Sequence, residues 1–142
     1  MKLPPLVLLL GYSGLLPFLI GPAWWTFSPE TAPDWLDAAW HGYTAMIASF
    51  MAGTFWGFAL PAAQGSAGKA GLAISVVLML LAWVALGLAP LYSLLLLAGV
   101  FVLLLIADVW RERTLGSVEG YFAMRTTLTV GVIVAIVWRL LL

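Results

Sequence analysis

From Ala70 to Ala107 the chain runs for thirty-eight positions without one charged residue, and the break in that run falls near its middle, at Gly87 and Pro90. One helix of that length would extend about 57 Å against a hydrocarbon core of roughly 30 Å, so the run predicts two crossings joined as an antiparallel hairpin. The two spans fall at about 70–88 and 90–107, with Pro90 suited to a first helical turn. Three further apolar segments flank them, at about 4–20, 37–60 and 122–141. Pro61 and the small, polar stretch 62–68 end the second, Lys69 marks the return to the membrane, and the polar segment 108–120 precedes the last. The pattern predicts an all-α integral membrane bundle of five transmembrane helices in a single domain, residues 1–142. A secretory signal would resemble the first run, but a lone Lys2 and the Pro4-Pro5 opening favour a retained span.

The segment 22–41 mixes Trp24, Trp25, Trp35, Trp40, Glu30, Asp34, Asp37 and His41, a composition suited to the headgroup layer. Thr31 followed by Pro33 and Asp34 predicts a helix start, with Thr31 as the cap, Pro33 in the first turn, and Asp34 and Asp37 facing the positive helix end. Five crossings put the chain ends on opposite sides. Lys2, Lys69, Arg111, Arg113 and Arg125 then share one face, and Arg139 lies on the other beside Glu30, Asp34 and Asp37. The positive-inside rule predicts a cytoplasmic N-terminus and an external C-terminus.

Composition narrows the chemistry. With 64% hydrophobic and 8% charged residues, the chain has too little polar surface to coat a water-soluble globule. Without cysteine it forms no disulfide and offers no thiolate, and one histidine makes a protein-built zinc site improbable, so no cofactor is expected. A formal net charge of zero argues against nucleic acid. No Ser-His-Asp set, HExxH, phosphate loop or nucleotide fingerprint is present.

In lipid, helices associate through small residues that let backbones approach, because the bilayer supplies no apolar drive. Ala45, Ser49, Gly53 and Gly57 stand at four-residue spacing in the second span, and Ala123, Thr127, Gly131 and Ala135 do so in the fifth. These stripes predict close-packing faces, either within the bundle or between copies. Asp108 and Arg125 fall near one membrane boundary. They either pair, joining the last two spans, or act separately, with Asp108 opening the loop and Arg125 reaching the lipid phosphates. Trp56, Trp83 and Tyr121 with Arg125 form a candidate site for a lipid or quinone.

Several of these residues recur in one pattern: Gly11 to Phe18 (Gly-Tyr-Ser-Gly-Leu-Leu-Pro-Phe), Tyr43, the block Ser49 to Gly57 (Ser-Phe-Met-Ala-Gly-Thr-Phe-Trp-Gly), Trp83, Asp108, and Tyr121 to Thr129 with Arg125. This pattern resembles the family of transmembrane protein sixty-nine over nearly the whole chain. Ala52 and Phe55 depart from it, standing where the pattern carries a glycine and a basic residue. The resemblance implies a small polytopic protein of the bacterial inner membrane, or of the mitochondrial inner membrane in a eukaryote, with no established activity.

These features predict a non-enzymatic scaffold, accessory subunit or assembly helper that works by helix packing. Its expected partners are membrane lipids, further copies of itself or a larger membrane complex. A small transporter or channel, with Ser49, Thr54, Thr126, Thr127 and Thr129 along a path, and a lipid- or quinone-binding protein are the alternatives.

Overall fold

A computed structural model describes residues 3–116 and 118–142. Lys2, one of the charges used to orient the chain, lies outside the described residues. The fold is all-helical: α1 (Pro5–Ser13), α2 (Leu16–Phe27), α3 (Leu36–Ala59), α4 (Ser66–Ala85), α5 (Pro90–Thr114) and α6 (Tyr121–Leu140). With α1 and α2 taken together, five helices are long and apolar enough to cross a membrane, the number the hydrophobic pattern predicts.

The element boundaries differ from the sequence expectation where local chemistry was ambiguous. The first span continues through Gly21-Pro22 to Phe27 and is instead interrupted at Gly14-Leu15. Pro17 has no N–H to return to the carbonyl four residues back, and the chain turns there through shorter bonds, Gly14 N to Gly11 O and Leu15 N to Tyr12 O. Thr31 does not cap α3; it ends a short 3-10 turn, accepts a hydrogen bond from Trp24 Nε1 at 3.0 Å, and leaves α3 to begin at Leu36. At the other end of the chain α5 does not stop at Ala107. It runs on through Asp108 to Thr114, because Asp108, Trp110, Arg111 and Glu112 continue a helix-compatible stretch with no glycine or proline.

The tightest association is between α3 and α4, and its seam is made of small residues. Ala48, Ala52, Phe55 and Ala59 on α3 are buried, as are Gly71, Ser75, Leu78, Ala82 and Ala85 on α4. A Cβ at Gly71 would lie 2.7 Å from the Ala59 Cβ, so only glycine permits this approach. The stripe expected to provide such contact turns away: Gly53 and Gly57 are exposed, and a Cβ on either would meet nothing within 4 Å. Ala45 is buried and Ser49 is half-buried. The α6 stripe divides likewise, with Ala123 and Thr127 exposed, Gly131 close against Leu15 and Ala135 buried. Within the bundle the close-packed α3 face is set instead by Ala48, Ala52 and Ala59, because alanine also admits close approach.

The first span is tied to α3 by hydrogen bonds to its own backbone. Pro22 cannot donate to the Phe18 carbonyl, and that freed oxygen accepts from the buried Trp40 Nε1 at 3.1 Å. Gly21 makes room, since a Cβ there would lie 2.5 Å from Trp40 Cδ1. One turn further along α3, Tyr43 donates to the Gly14 carbonyl at 2.6 Å, at the interruption between α1 and α2.

Candidate functional site

Three helices bring their polar side chains to one buried point. Asp108 and Arg111 stand three apart on α5, Tyr121 and Arg125 four apart on α6, and Met51, Thr54 and Phe58 share a face of α3. Arg125 Nε donates to both Asp108 oxygens, at 2.9 and 3.0 Å. Its Nη1 donates to Thr54 Oγ1 at 2.6 Å and to the Tyr121 hydroxyl at 3.3 Å, and its Nη2 to the Met51 carbonyl at 3.2 Å. Asp108 and Arg111 are fully buried and Arg125 nearly so.

Arg111 is the member of this cluster that sequence reasoning placed in a solvated loop. Its Nε lies 3.4 Å from Asp108 Oδ1, and its Nη1 donates to the Gly116 carbonyl at 3.2 Å. The guanidinium sits 4.5 Å from the Phe58 ring centre and 5.5 Å from that of Tyr121, while Arg125 lies 5.6 Å from the same Tyr121 ring. Tyr121 is thus flanked by two cations, an arrangement that favours the aromatic ring's negative face. The available signal was the three-residue interval from Asp108 to Arg111, which puts both on one helix face once α5 is allowed to continue.

A second polar cluster lies at the opposite end of α6. Arg139 Nη2 donates to Asp37 Oδ1 at 3.1 Å, and its guanidinium lies 4.5 Å over the Trp25 ring. His41 Nδ1 is 2.9 Å from the Asp37 carbonyl, which can only accept, so the proton sits on Nδ1. Trp138 Nε1 donates to Thr26 at 2.9 Å, adding a link from α6 to α2.

Between the first span, α3 and α6 lies a cavity of about 520 Å³. Leu10, Leu15 and Phe18 wall it from the first span, Ile47 and Met51 from α3, and Met124 and Leu128 from α6. Thr54, Tyr121 and Arg125 line its floor at the charged cluster, and Tyr43 lines the other end. The four residues expected to form a ligand site are therefore not brought together. Tyr121 and Arg125 reach this cavity, whereas Trp56 is exposed and Trp83 lines a separate, shallow groove between α3 and α4 with Met46, Ser49 and Met79. The aromatic pair misled because large rings at membrane positions serve equally well as lipid-facing surface.

The hydroxyls proposed for a transport path do not line one path either. Thr54 Oγ1 donates to the Met51 carbonyl, Thr127 to Ala123 and Thr129 to Arg125, each within its own helix, and of the five only Thr54 lines the cavity.

The sequence model of the family described as protein of unknown function (DUF3429) matches residues 3–141. The chain belongs to the DUF3429 family. That match spans all of the membrane-crossing helices, the charged cluster and the cavity. No curated protein and no solved structure matches the chain.

Proposed function

We propose that this DUF3429 member is a non-enzymatic, multi-pass inner-membrane protein, related to transmembrane protein sixty-nine, that holds an amphiphile of lipid or quinone type drawn from the bilayer. The observation that carries this reading is the cavity beside Arg125, an apolar chamber of about 520 Å³ with hydrogen-bonding side chains gathered at one end. Its volume falls within the roughly 300–1,000 Å³ of ordinary small-molecule sites, and few placed polar groups on apolar walls are their usual makeup. In a bilayer such a space fills with hydrocarbon, because water would find few partners along its walls. Native mass spectrometry of the protein released from detergent tests the reading: the wild type carries an amphiphile and Leu128→Trp, which fills the chamber, loses it. Equal retention by both sinks it.

The scaffold reading has its own support. Ser49, Gly53 and Gly57 leave part of α3 open, with room for another helix to approach. Under that reading, a second copy or another membrane protein docks on this face, and Gly53→Leu abolishes co-purification while leaving the monomer's thermal midpoint unchanged. A monomer that co-purifies with nothing, wild type and variant alike, counts against it.

The proposed orientation keeps the N-terminus cytoplasmic, or in the matrix for a mitochondrial member, and the C-terminus outside. It rests on Lys69, Arg111, Arg113 and Arg125 gathering at the end opposite Arg139. Single cysteines placed at Gly65 and at Leu142 test it, since the chain has none of its own. Labelling of position 65 from outside the intact cell inverts the orientation.

A further inference from the structure

Resting on the reading of the cavity as an amphiphile site, we infer that the head it selects is a neutral carbonyl oxygen, of an acyl ester or a quinone, and that the Tyr121 hydroxyl selects it. The acceptors at the chamber floor are already engaged. Both Asp108 oxygens accept from Arg125 Nε, and Oδ1 also lies 3.4 Å from Arg111 Nε. Thr54 Oγ1 accepts from Arg125 Nη1 and donates to the Met51 carbonyl, which accepts from Arg125 Nη2 as well. Tyr121 differs. Its oxygen accepts from Arg125 Nη1 at 3.3 Å, and among the described residues its own hydrogen has no acceptor. At the far end Tyr43 spends its hydrogen on the Gly14 carbonyl. The atom that complements this floor is an acceptor, whereas an alcohol would accept from Tyr121 and leave its own hydrogen unmet.

Charge balance narrows the acceptor to a neutral one. The two guanidiniums of the cluster face two carboxylates: Arg125 pairs with Asp108 at 2.9 Å, and Arg111 stands 3.4 Å from Asp108 and 3.6 Å from Glu112. An ionised head of either sign would bring an unmatched charge against apolar walls, where burying it is costly. A carbonyl brings none.

Position fits the same head. Tyr121 is the first residue of α6, at the end of a span, where aromatic side chains meet the polar layer and where the ester carbonyls of bilayer lipids lie. Leu10 and Phe50 line the chamber and are themselves exposed, so it opens sideways to the surrounding acyl chains. A lipid can lean its hydrocarbon against Ile47, Met51 and Leu128 with its headgroup left in the leaflet, and a quinone can lodge its ring at the same hydroxyl.

The test offers the full chain in detergent dipalmitoyl phosphatidylcholine and its dihexadecyl ether counterpart in equal amounts, and decyl-ubiquinone separately, with native mass spectrometry as the readout. The two lipids differ in their carbonyls alone. If the source is an acyl ester, the wild type retains the ester lipid about fivefold better than the ether, the difference expected of one neutral hydrogen bond, and Tyr121→Phe, which keeps the ring, brings the ratio to about one. If the source is a quinone, the two lipids are retained equally and decyl-ubiquinone retention falls about fivefold in Tyr121→Phe. Equal retention of both lipids with quinone retention indifferent to Tyr121→Phe overturns the carbonyl head, and so does displacement of the ester lipid by an equal amount of palmitate at alkaline pH; the cavity reading survives either result. Retention of none of these ligands by the wild type, or of all of them undiminished by Leu128→Trp, removes the cavity reading itself.

Discussion

Arg125 and Arg139 lie near opposite ends of α6, and each meets an aspartate on another helix, yet the two contacts are different objects. The Arg125 pair with Asp108 is sealed: the side chains are 3% and 0% exposed, and the guanidinium is further held by Thr54 and the Met51 carbonyl. The Arg139 pair with Asp37 keeps 24% and 39% exposure. Identical chemistry therefore yields a structural keystone at one end and a solvated clasp at the other. In the first case removing one partner strands buried charge, and in the second water takes its place.

The sharpest way to break this contrast is Asp108→Ala, which leaves the buried Arg125 guanidinium without its counter-charge and Arg111 with Glu112 alone, 3.6 Å away. A loss of about 3–5 kcal/mol is expected, read as a fall in the thermal midpoint in detergent or as failure to accumulate in the membrane. An unchanged midpoint would mean that the two arginines find other partners. Exchanging the charges, Asp108→Arg with Arg125→Asp, restores little, because Arg111 and Thr54 are arranged around the native polarity; recovery to the wild-type midpoint would show that a simple pair is all the site contains.

Next in size is Gly71→Leu on the α3–α4 seam, where the new side chain would collide with Ala59. About 1–3 kcal/mol of destabilisation is expected, the usual range for overpacking. Asp37→Asn at the solvated end should cost only about 0–1 kcal/mol and become smaller still at high salt. Should it match Asp108→Ala, exposure is the wrong variable for ranking the two pairs. Smallest of all is Gly53→Leu in the isolated monomer, within about 0.5 kcal/mol, since the added side chain enters open space.

Much of this architecture was legible in the order of residues. The charge-free run around Gly87 and Pro90 could only be a hairpin, and the number of crossings followed from length alone. The side of each helix was harder to read. On α3 the glycines at 53 and 57 drew the eye, but Ala48, Ala52 and Ala59 carry the contact, and a period near four cannot distinguish two faces that are both lined by small residues. The charged cluster was half legible: Asp108 and Arg125 bracket a polar segment, whereas Arg111 reads as loop until the helix is known to continue beneath it. The cavity was not legible, because it depends on how the interrupted first span leans on α3 and α6, and that angle is set by two carbonyls, of Gly14 and Phe18, which sequence patterns do not mark.

The interruption between α1 and α2 also divides the first span mechanically. α2 contributes Phe18, Gly21 and Pro22 to the buried interior, while α1 buries no residue at all. Swinging α1 aside about Gly14 would uncover no buried side chain of its own, and it would unroof the chamber directly into the surrounding leaflet. On the proposed reading, an occupant would then have a sideways route in and out that never crosses water, its residence time governed by how firmly a nine-residue half-helix rests against Met124 and its neighbours.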